Sequence, residues 1–329
     1  MEFLHVLAAV VLPLLRLMAL AGASYALFRF RILPFAFHRM LSKFVLYAAL
    51  PALLFAKLAQ TSDRSDLGAW AWLPLCAVAI VAVGGALGFL ASRTLPDQGR
   101  DRALCTVLCA FQNASYLPLP IVWGVFPDHP DLDVLVMIFL IGLSPLLWSI
   151  GPAVFAGKRG QGLRLDKMLN PPILAILAGA AAMFLGLGEF LRSIPVGDYT
   201  LNDLTLRPLE LLGRTSVYLV LIVLGGQLAR IDPGRAGHRR LAATVVLTKL
   251  VALPVLGLLV VPHLGFGTAI TIVLAVETMQ PTALNVTIQA KEFAPPEVEP
   301  VVSKVLFWEY LVSAGTITVF LTILKLLIA

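Results

Sequence analysis

The sequence is short of charge. Asp, Glu, Lys and Arg together make 13% of its 329 residues, against 59% hydrophobic, whereas a soluble domain carries roughly a quarter charged residues. That balance excludes a single water-soluble core. Cysteine is also scarce: Cys76, Cys105 and Cys109 are the only three. All lie inside apolar runs with no CxxC spacing, which excludes a disulfide framework or a zinc site and leaves them as small packing residues. The five histidines sit near run boundaries and contain no HExxH or similar metal spacing. A basic n-region is missing at the N-terminus, where Glu2 and His5 stand. The first apolar run is also too long for a signal-peptide core, so it reads as a membrane helix.

The net charge is +6, but the basic residues are dispersed at the ends of apolar runs. No nucleic-acid partner is expected, and the cations read as topology signals. What the sequence does hold is apolar runs at about 3–28, 40–60, 67–91, 103–126, 133–156, 171–190, 208–229, 240–262, 267–290 and 302–327. Each approaches or exceeds the roughly 20 residues that span a bilayer as helix. They are too long for barrel strands, and in lipid each backbone group must be satisfied internally. The expected fold is therefore an all-α integral membrane protein of ten transmembrane helices, with the lipid bilayer as its partner.

The polar, basic stretch 157–170 divides the chain. Residues 1–156 read as a first five-helix repeat, 157–170 as a short cytoplasmic linker and 171–329 as a second five-helix repeat. An odd number of helices per half reverses the sense of the second, so repeats would form an inverted 5+5 arrangement. Seventeen Lys and Arg fall in the odd-numbered connections and four in the even-numbered ones. By the positive-inside rule both termini then face outward, in a multi-pass protein of the cell membrane.

The fourth and ninth runs, in matching positions, are the most polar and most interrupted. The fourth contains Phe111-Gln112-Asn113-Ala114-Ser115-Tyr116-Leu117-Pro118-Leu119-Pro120, and the ninth Glu277-Thr278-Met279-Gln280-Pro281-Thr282-Ala283-Leu284-Asn285. Pro118, Pro120 and Pro281 cannot donate to the carbonyls four residues back, those of Ala114, Tyr116 and Glu277. Freed carbonyls must be buried in protein or line a wet cavity. With a carboxylate and amide side chains they suit a small cation, while each new helix N-terminus suits an anion. A lone proline kink would be the bland explanation for either break, but two at matching positions beside Asn and Gln point to a binding site.

Glu277 is the most informative residue, since a carboxylate at mid-membrane depth is costly unless paired, protonated or hydrated. Lys249, within the eighth run, is the nearest sequence candidate to pair with it or to attract an anion. Arg16 in the first run is read as structural. Glu309 and Arg214 are placed toward helix ends, where long side chains reach the interface. Pro13, Pro51 and Pro254 have no polar cluster beside them, whereas Asn170 before Pro171 and Pro172 is a helix-start signature. Trp70, Trp72, Trp123 and Trp308 lie toward run ends, where aromatic belts form.

With these motifs the chain resembles the auxin efflux carrier family over essentially its whole length. The resemblance rests on Leu50-Pro51-Ala52-Leu53-Leu54-Phe55, on Asn113 with Leu117 through Pro120, on Asn170-Pro171-Pro172 and on Glu277 through Asn285. It implies a fold related to bile-acid/sodium symporters, with crossing broken helices 4 and 9 in a mobile domain. A scaffold of helices 1, 2, 6 and 7, an elevator-like movement and a homodimer through that scaffold are implied as well. There are departures: Ala114, Ser115 and Tyr116 replace the usual glycines of the first break, and the central loop is short. The acidic, Gln-containing second break is similar to that of the sodium-coupled relatives.

The expected function is secondary transport of a small organic anion, with a carboxylate as the expected class. Gln112, Asn113, Ser115, Tyr116, Gln280, Thr282 and Asn285 would bind substrate, with Glu277 and Lys249 coupling Na⁺ or H⁺. No cofactor is expected. A membrane-embedded sensor or structural subunit is the competing reading. An intramembrane enzyme is disfavoured, because no paired catalytic carboxylates, metal cluster or Ser/His dyad appears within the runs.

Overall fold

A computed structural model describes residues 2–61, 67–97, 99–129, 131–156, 170–231 and 238–328. The expected linker 157–170 lies outside the described residues except for Asn170. The described chain is helical apart from a two-stranded hairpin, β1 (Pro195–Val196) and β2 (Tyr199–Thr200). In chain order the main helices are α1 (Glu2–Arg29), α2 (Phe35–Gln60), α3 (Gly68–Thr94), α4 (Arg100–Ala110), α5 (Pro118–Val125), α6 (Leu132–Ala156) and α7 (Pro171–Phe184). There follow α8 (Leu187–Ser193), α9 (Leu206–Ala229), α10 (Arg239–His263), α11 (Thr268–Thr278), α12 (Asn285–Phe293) and α13 (Val298–Ile328).

Seven of these helices, α1, α2, α3, α6, α9, α10 and α13, are long and apolar enough to cross a membrane, and the pair α7 and α8, bent by 60°, makes an eighth. The fourth and ninth apolar runs of the sequence are not continuous helices. They divide into α4 with α5 and α11 with α12, each piece too short to span alone. Leu12, Leu15, Trp72, Leu75, Leu211 and Leu259 are among many large apolar side chains left exposed, as suits a surface solvated by lipid rather than water.

Prolines shape several of these elements. Asn170 takes the cap position before Pro171, its Oδ1 accepting from the Ile173 N–H at 3.2 Å, so the two prolines occupy positions where no donor is needed. Inside α2 and α10, Pro51 and Pro254 each follow a single π-turn, at Val45–Ala49 and Thr248–Ala252. The absent proline N–H relaxes the ladder into the wider turn. The second π-turn carries Lys249, which is fully buried. Between α8 and α9, Thr200 and Asp203 form a capping box, and the Thr200 hydroxyl and amide hold the Asp203 carboxyl below its usual range.

Two groups of helices pack closely within themselves. α1, α2, α7 and α9 form one, and α3, α4 and α6 with α10 to α13 form the other. Glycine allows the closest approaches in the first group. A Cβ on Gly213 of α9 would collide with the Leu53 backbone of α2, and one on Gly179 of α7 would meet the Phe55 backbone at 3.0 Å. Gly213→Ala should therefore push α9 off α2 and destabilise the protein by about 1–3 kcal/mol, the usual cost of overpacking. Gly315→Ala, with nothing within 4 Å, should leave the thermal unfolding midpoint in detergent unchanged, and equal shifts in the two variants would refute this account of the contact.

Candidate functional site: two interrupted helices that pair

The breaks in the two short-helix pairs meet. α4 ends at Ala110 and α5 begins at Pro118, while α11 ends at Thr278 and α12 begins at Asn285. Residues 111–113 and 281–283 run antiparallel, with Gln112 opposite Thr282. The Asn113 N–H donates to the Pro281 carbonyl at 2.8 Å and the Ala283 N–H to the Phe111 carbonyl at 3.0 Å. Each break thus supplies backbone partners that the other lost on leaving its helix, which answers the demand that buried backbone groups be paired.

Side chains tie the junction to α13. Asn113 Nδ2 donates to the Tyr310 hydroxyl at 2.8 Å, and that hydroxyl donates to the Thr282 carbonyl at 3.0 Å. The Thr282 hydroxyl lies 2.6 Å from the Leu108 carbonyl and 2.9 Å from Glu309 Oε1, with one proton to share between them. Lys249 Nζ donates to the Cys109 carbonyl at 2.7 Å. The C-terminal end of α4, where carbonyls lack helix partners and carry partial negative charge, is therefore held by a cation and a hydroxyl.

The end of α11 is built differently. Gln280 Nε2 folds back onto the Val276 carbonyl at 2.8 Å, and no cation caps this end among the described residues. Instead Glu277 lies in the last turn, fully buried, with neither carboxylate oxygen hydrogen-bonded. Gln280 Oε1 and both side-chain polar atoms of Gln112 are likewise buried without a partner. Lys249 is within electrostatic reach of both Glu277 and Glu309 but forms no ion pair within 4 Å with either.

A cavity of about 70 Å³ opens beside the junction, lined by Gln112, Asn113, Ser115, Tyr116 and Asn285 together with Asn170 and Ser144. Five of the seven residues expected to bind substrate are thus brought to one place. Gln280 and Thr282 lie behind them and do not line the cavity, because their side chains are turned back onto α11 and α4. Pro118 and Pro281 stand at the breaks themselves, and Pro120 sits in the first turn of α5. Arg16 lies on the exposed face of α1, and Arg214 pairs with Glu210 at 2.7 Å.

One expectation is corrected. Glu309 does not reach a membrane interface; it is fully buried and hydrogen-bonded at the junction, because α13 begins at Val298 and carries it several turns into the helix. Tyr310 was not singled out from the sequence, where no local feature marks it.

A second polar cluster stands apart from the junction. Lys57 of α2 approaches Asp133 of α6 at 3.1 Å and Glu210 of α9 at 3.8 Å. Asp133 also accepts from the Trp123 indole N–H at 3.1 Å, so this tryptophan has a specific partner beyond an interfacial role.

Comparison with known proteins agrees with this architecture. The family model described as membrane transport protein matches residues 7–167 and 161–321, together nearly the whole chain. The chain belongs to the auxin efflux carrier family. As a member of that family it is a multi-pass membrane transporter, in a family of carriers rather than enzymes. Among its relatives are Protein PIN-LIKES 5 of Arabidopsis thaliana, 23% identical with 98% of each chain covered, and PIN-LIKES 7 of the same plant, 22% identical with the same coverage. An uncharacterized transporter of Methanothermobacter thermautotrophicus is 26% identical over 45% of this chain and 48% of its own.

The Tyr310 hydroxyl is the one group joining Asn113 to the Thr282 carbonyl, so Tyr310→Phe leaves a buried amide and a buried carbonyl unpaired. The expected destabilisation is about 1–3 kcal/mol, read as a lower unfolding midpoint in detergent. Tyr218→Phe on the exposed face of α9 should be neutral, and a Tyr310→Phe midpoint equal to wild type would show that the hydroxyl contributes nothing to the junction.

Proposed function

We propose that this member of the auxin efflux carrier family is a secondary active carrier of a small organic anion, most simply a carboxylate, driven by Na⁺ or H⁺ across the cell membrane. The observation that carries the reading is Glu277. It is a fully buried carboxylate at the C-terminal end of a helix with no hydrogen-bond partner, disfavoured both by desolvation and by the helix dipole. A bound cation or proton removes both penalties. Charge arithmetic in the cluster points the same way, since Glu277 and Glu309 together outnumber Lys249 and one further positive charge restores balance. Gln280 Oε1 and Gln112 Oε1, both partnerless, are hard oxygen donors of the kind an alkali cation takes.

The anion would occupy the small cavity. The N-terminal ends of α5 and α12 adjoin it as positive dipole ends, with the Leu119, Ile121, Val286 and Thr287 N–H groups already paired, while Asn113, Asn285 and Ser115 offer neutral donors that fix orientation without trapping the charge. The ten-span count follows if the interrupted pairs α4 with α5 and α11 with α12 each cross once and α7 with α8 crosses as one bent span. An inverted 5+5 repeat, the surplus of basic residues in odd-numbered connections, and termini outside the cytoplasm complete that topology. In an elevator cycle α1, α2, α7 and α9 would be the scaffold, joined to a second copy as a homodimer, and the group holding the junction would move against it. The substrates of plant relatives are not transferred to this chain, whose first break has Ala114, Ser115 and Tyr116.

The test is charge movement in proteoliposomes when small carboxylates, Na⁺ and pH are jumped separately, alongside tracer counterflow for electroneutral cycles. Currents or counterflow requiring a carboxylate together with one cation are expected, reduced about tenfold or more in Glu277→Gln, equivalent to about 1.4 kcal/mol. Carboxylate flux unchanged in that variant would remove Glu277 from coupling. Absence of both signals for every carboxylate and cation would favour a sensor that binds without transporting. Single cysteines introduced in 92–102 and in 230–240 should react with an impermeant reagent from the same side, and labelling from opposite sides would overturn the topology.

A further inference from the structure

The protein holds a larger cavity than the one at the junction. It measures about 520 Å³ and lies between α2 and α9 on one side and α12 and α13 on the other. Its lining is basic: Arg230 at the end of α9, Lys291 in the last turn of α12 and Lys304 of α13, with His38 and His238 beside them and, among the described residues, the carboxylate of Glu299. Leu284 and Ile288 supply an apolar wall.

Two ordinary explanations account for part of this. Basic residues at helix C-termini offset the dipole, and basic connections set topology. Neither requires cations from three separate helices to converge on one cleft, where low-dielectric walls strengthen their field. Arg230 is also positioned: its guanidinium carbon lies 5.7 Å from the centre of the Phe35 ring, a cation–π contact that uses none of its N–H donors. Glu299 is engaged by the Ser303 hydroxyl at 2.9 Å, and His238 Nδ1 is 3.6 Å from Asp101 Oδ1.

An independent observation comes from His38. It is 6% exposed, its Nε2–H donates to the Val223 carbonyl at 3.1 Å, and its Nδ1, on a residue that lines the cavity, has no partner, leaving an acceptor suited to a hydroxyl of the ligand's organic part. Gln227 Nε2 donates to the Thr287 hydroxyl at 2.7 Å across the same space, so the walls belong to both helix groups and an occupant would bridge them.

We propose that this cavity binds the phosphoryl group of a phosphate monoester, with Arg230, Lys291 and Lys304 on its oxygens and the organic part against Leu284 and Ile288. A planar carboxylate offers two coplanar oxygens, whereas cations approaching from three helices match the three terminal oxygens of a phosphoryl group. The volume is far larger than bare phosphate needs, which leaves room for the organic part. This cavity adjoins the small one at the junction, Leu284 lining both, but Arg230, Lys291 and Lys304 line it alone, and the proposal does not depend on transport.

Binding can be measured by calorimetry on the full-length protein in detergent at constant ionic strength, using glycerol phosphate, inorganic phosphate and succinate. A parallel arm reconstitutes the protein in nanodiscs with and without phosphatidic acid and measures its thermal midpoint. Saturable binding of glycerol phosphate, at least tenfold weaker in Arg230→Gln and in Lys291→Gln but unchanged in Arg39→Gln, is expected. Arg39 is an exposed cation of α2 outside the cavity, so that variant controls for charge alone. A soluble ligand is identified if glycerol phosphate binds, and a lipid headgroup if only phosphatidic acid acts, with the same two variants abolishing its stabilisation. The proposal is overturned if succinate binds as tightly as glycerol phosphate, if Arg39→Gln weakens binding as much as the cavity variants, or if neither source binds to protein that elutes as a single folded species.

Discussion

Everything in this fold answers to one constraint: hydrocarbon offers no hydrogen bonds. A helix can be interrupted at mid-depth only where something else supplies the partners that the ladder loses. Here two interruptions supply each other, through the Asn113 amide to the Pro281 carbonyl and the Ala283 amide to the Phe111 carbonyl. Neither break would be tolerable alone. The pairing fixes α4, α5, α11 and α12 around one point, and Tyr310 and Glu309 of α13 lock that point from behind.

The two halves of the junction are alike in backbone and unlike in charge. The carbonyl end of α4 is held by Lys249 and the Thr282 hydroxyl, so its partial negative charge is answered from within the protein. The matching end of α11 carries a carboxylate instead, with partnerless amide oxygens beside it. Protein interiors keep such groups unpaired only at a cost of several kcal/mol, which makes this half the place where an outside charge would be accepted. The asymmetry sets an end whose charge is answered by Lys249 beside one whose carboxylate has no hydrogen-bond partner, across a single antiparallel pairing.

Much of the architecture was legible in the sequence, because bilayer thickness imposes run length and proline removes a donor wherever it falls. Residue type and position sufficed to mark the breaks at Pro118 and Pro281 and to single out Glu277. Long-range partners were not legible. Tyr310 meets Thr282 across 28 residues of sequence separation, and Lys57 meets Asp133 and Glu210 from two other helices. Glu309 was misplaced for a different reason: apolar content marks where a run becomes hydrophobic, not where the helix starts. α13 begins at Val298, ahead of the apolar run and with Glu299 and Pro300 in its first turn, which sets Glu309 about 16 Å along the axis at 1.5 Å per residue.

The Lys57 cluster has a mechanical meaning of its own. Lys57 and Glu210 belong to α2 and α9, while Asp133 and Trp123 belong to α6 and α5, so the 3.1 Å ion pair staples one helix group to the other. With Asp133 almost fully buried, separation would strand a carboxylate in a dry environment unless water entered at once. Any sliding of one group past the other must therefore begin by wetting this spot. If the two groups move as proposed, the rate at which the empty protein changes shape would depend on the hydration of a latch remote from the junction.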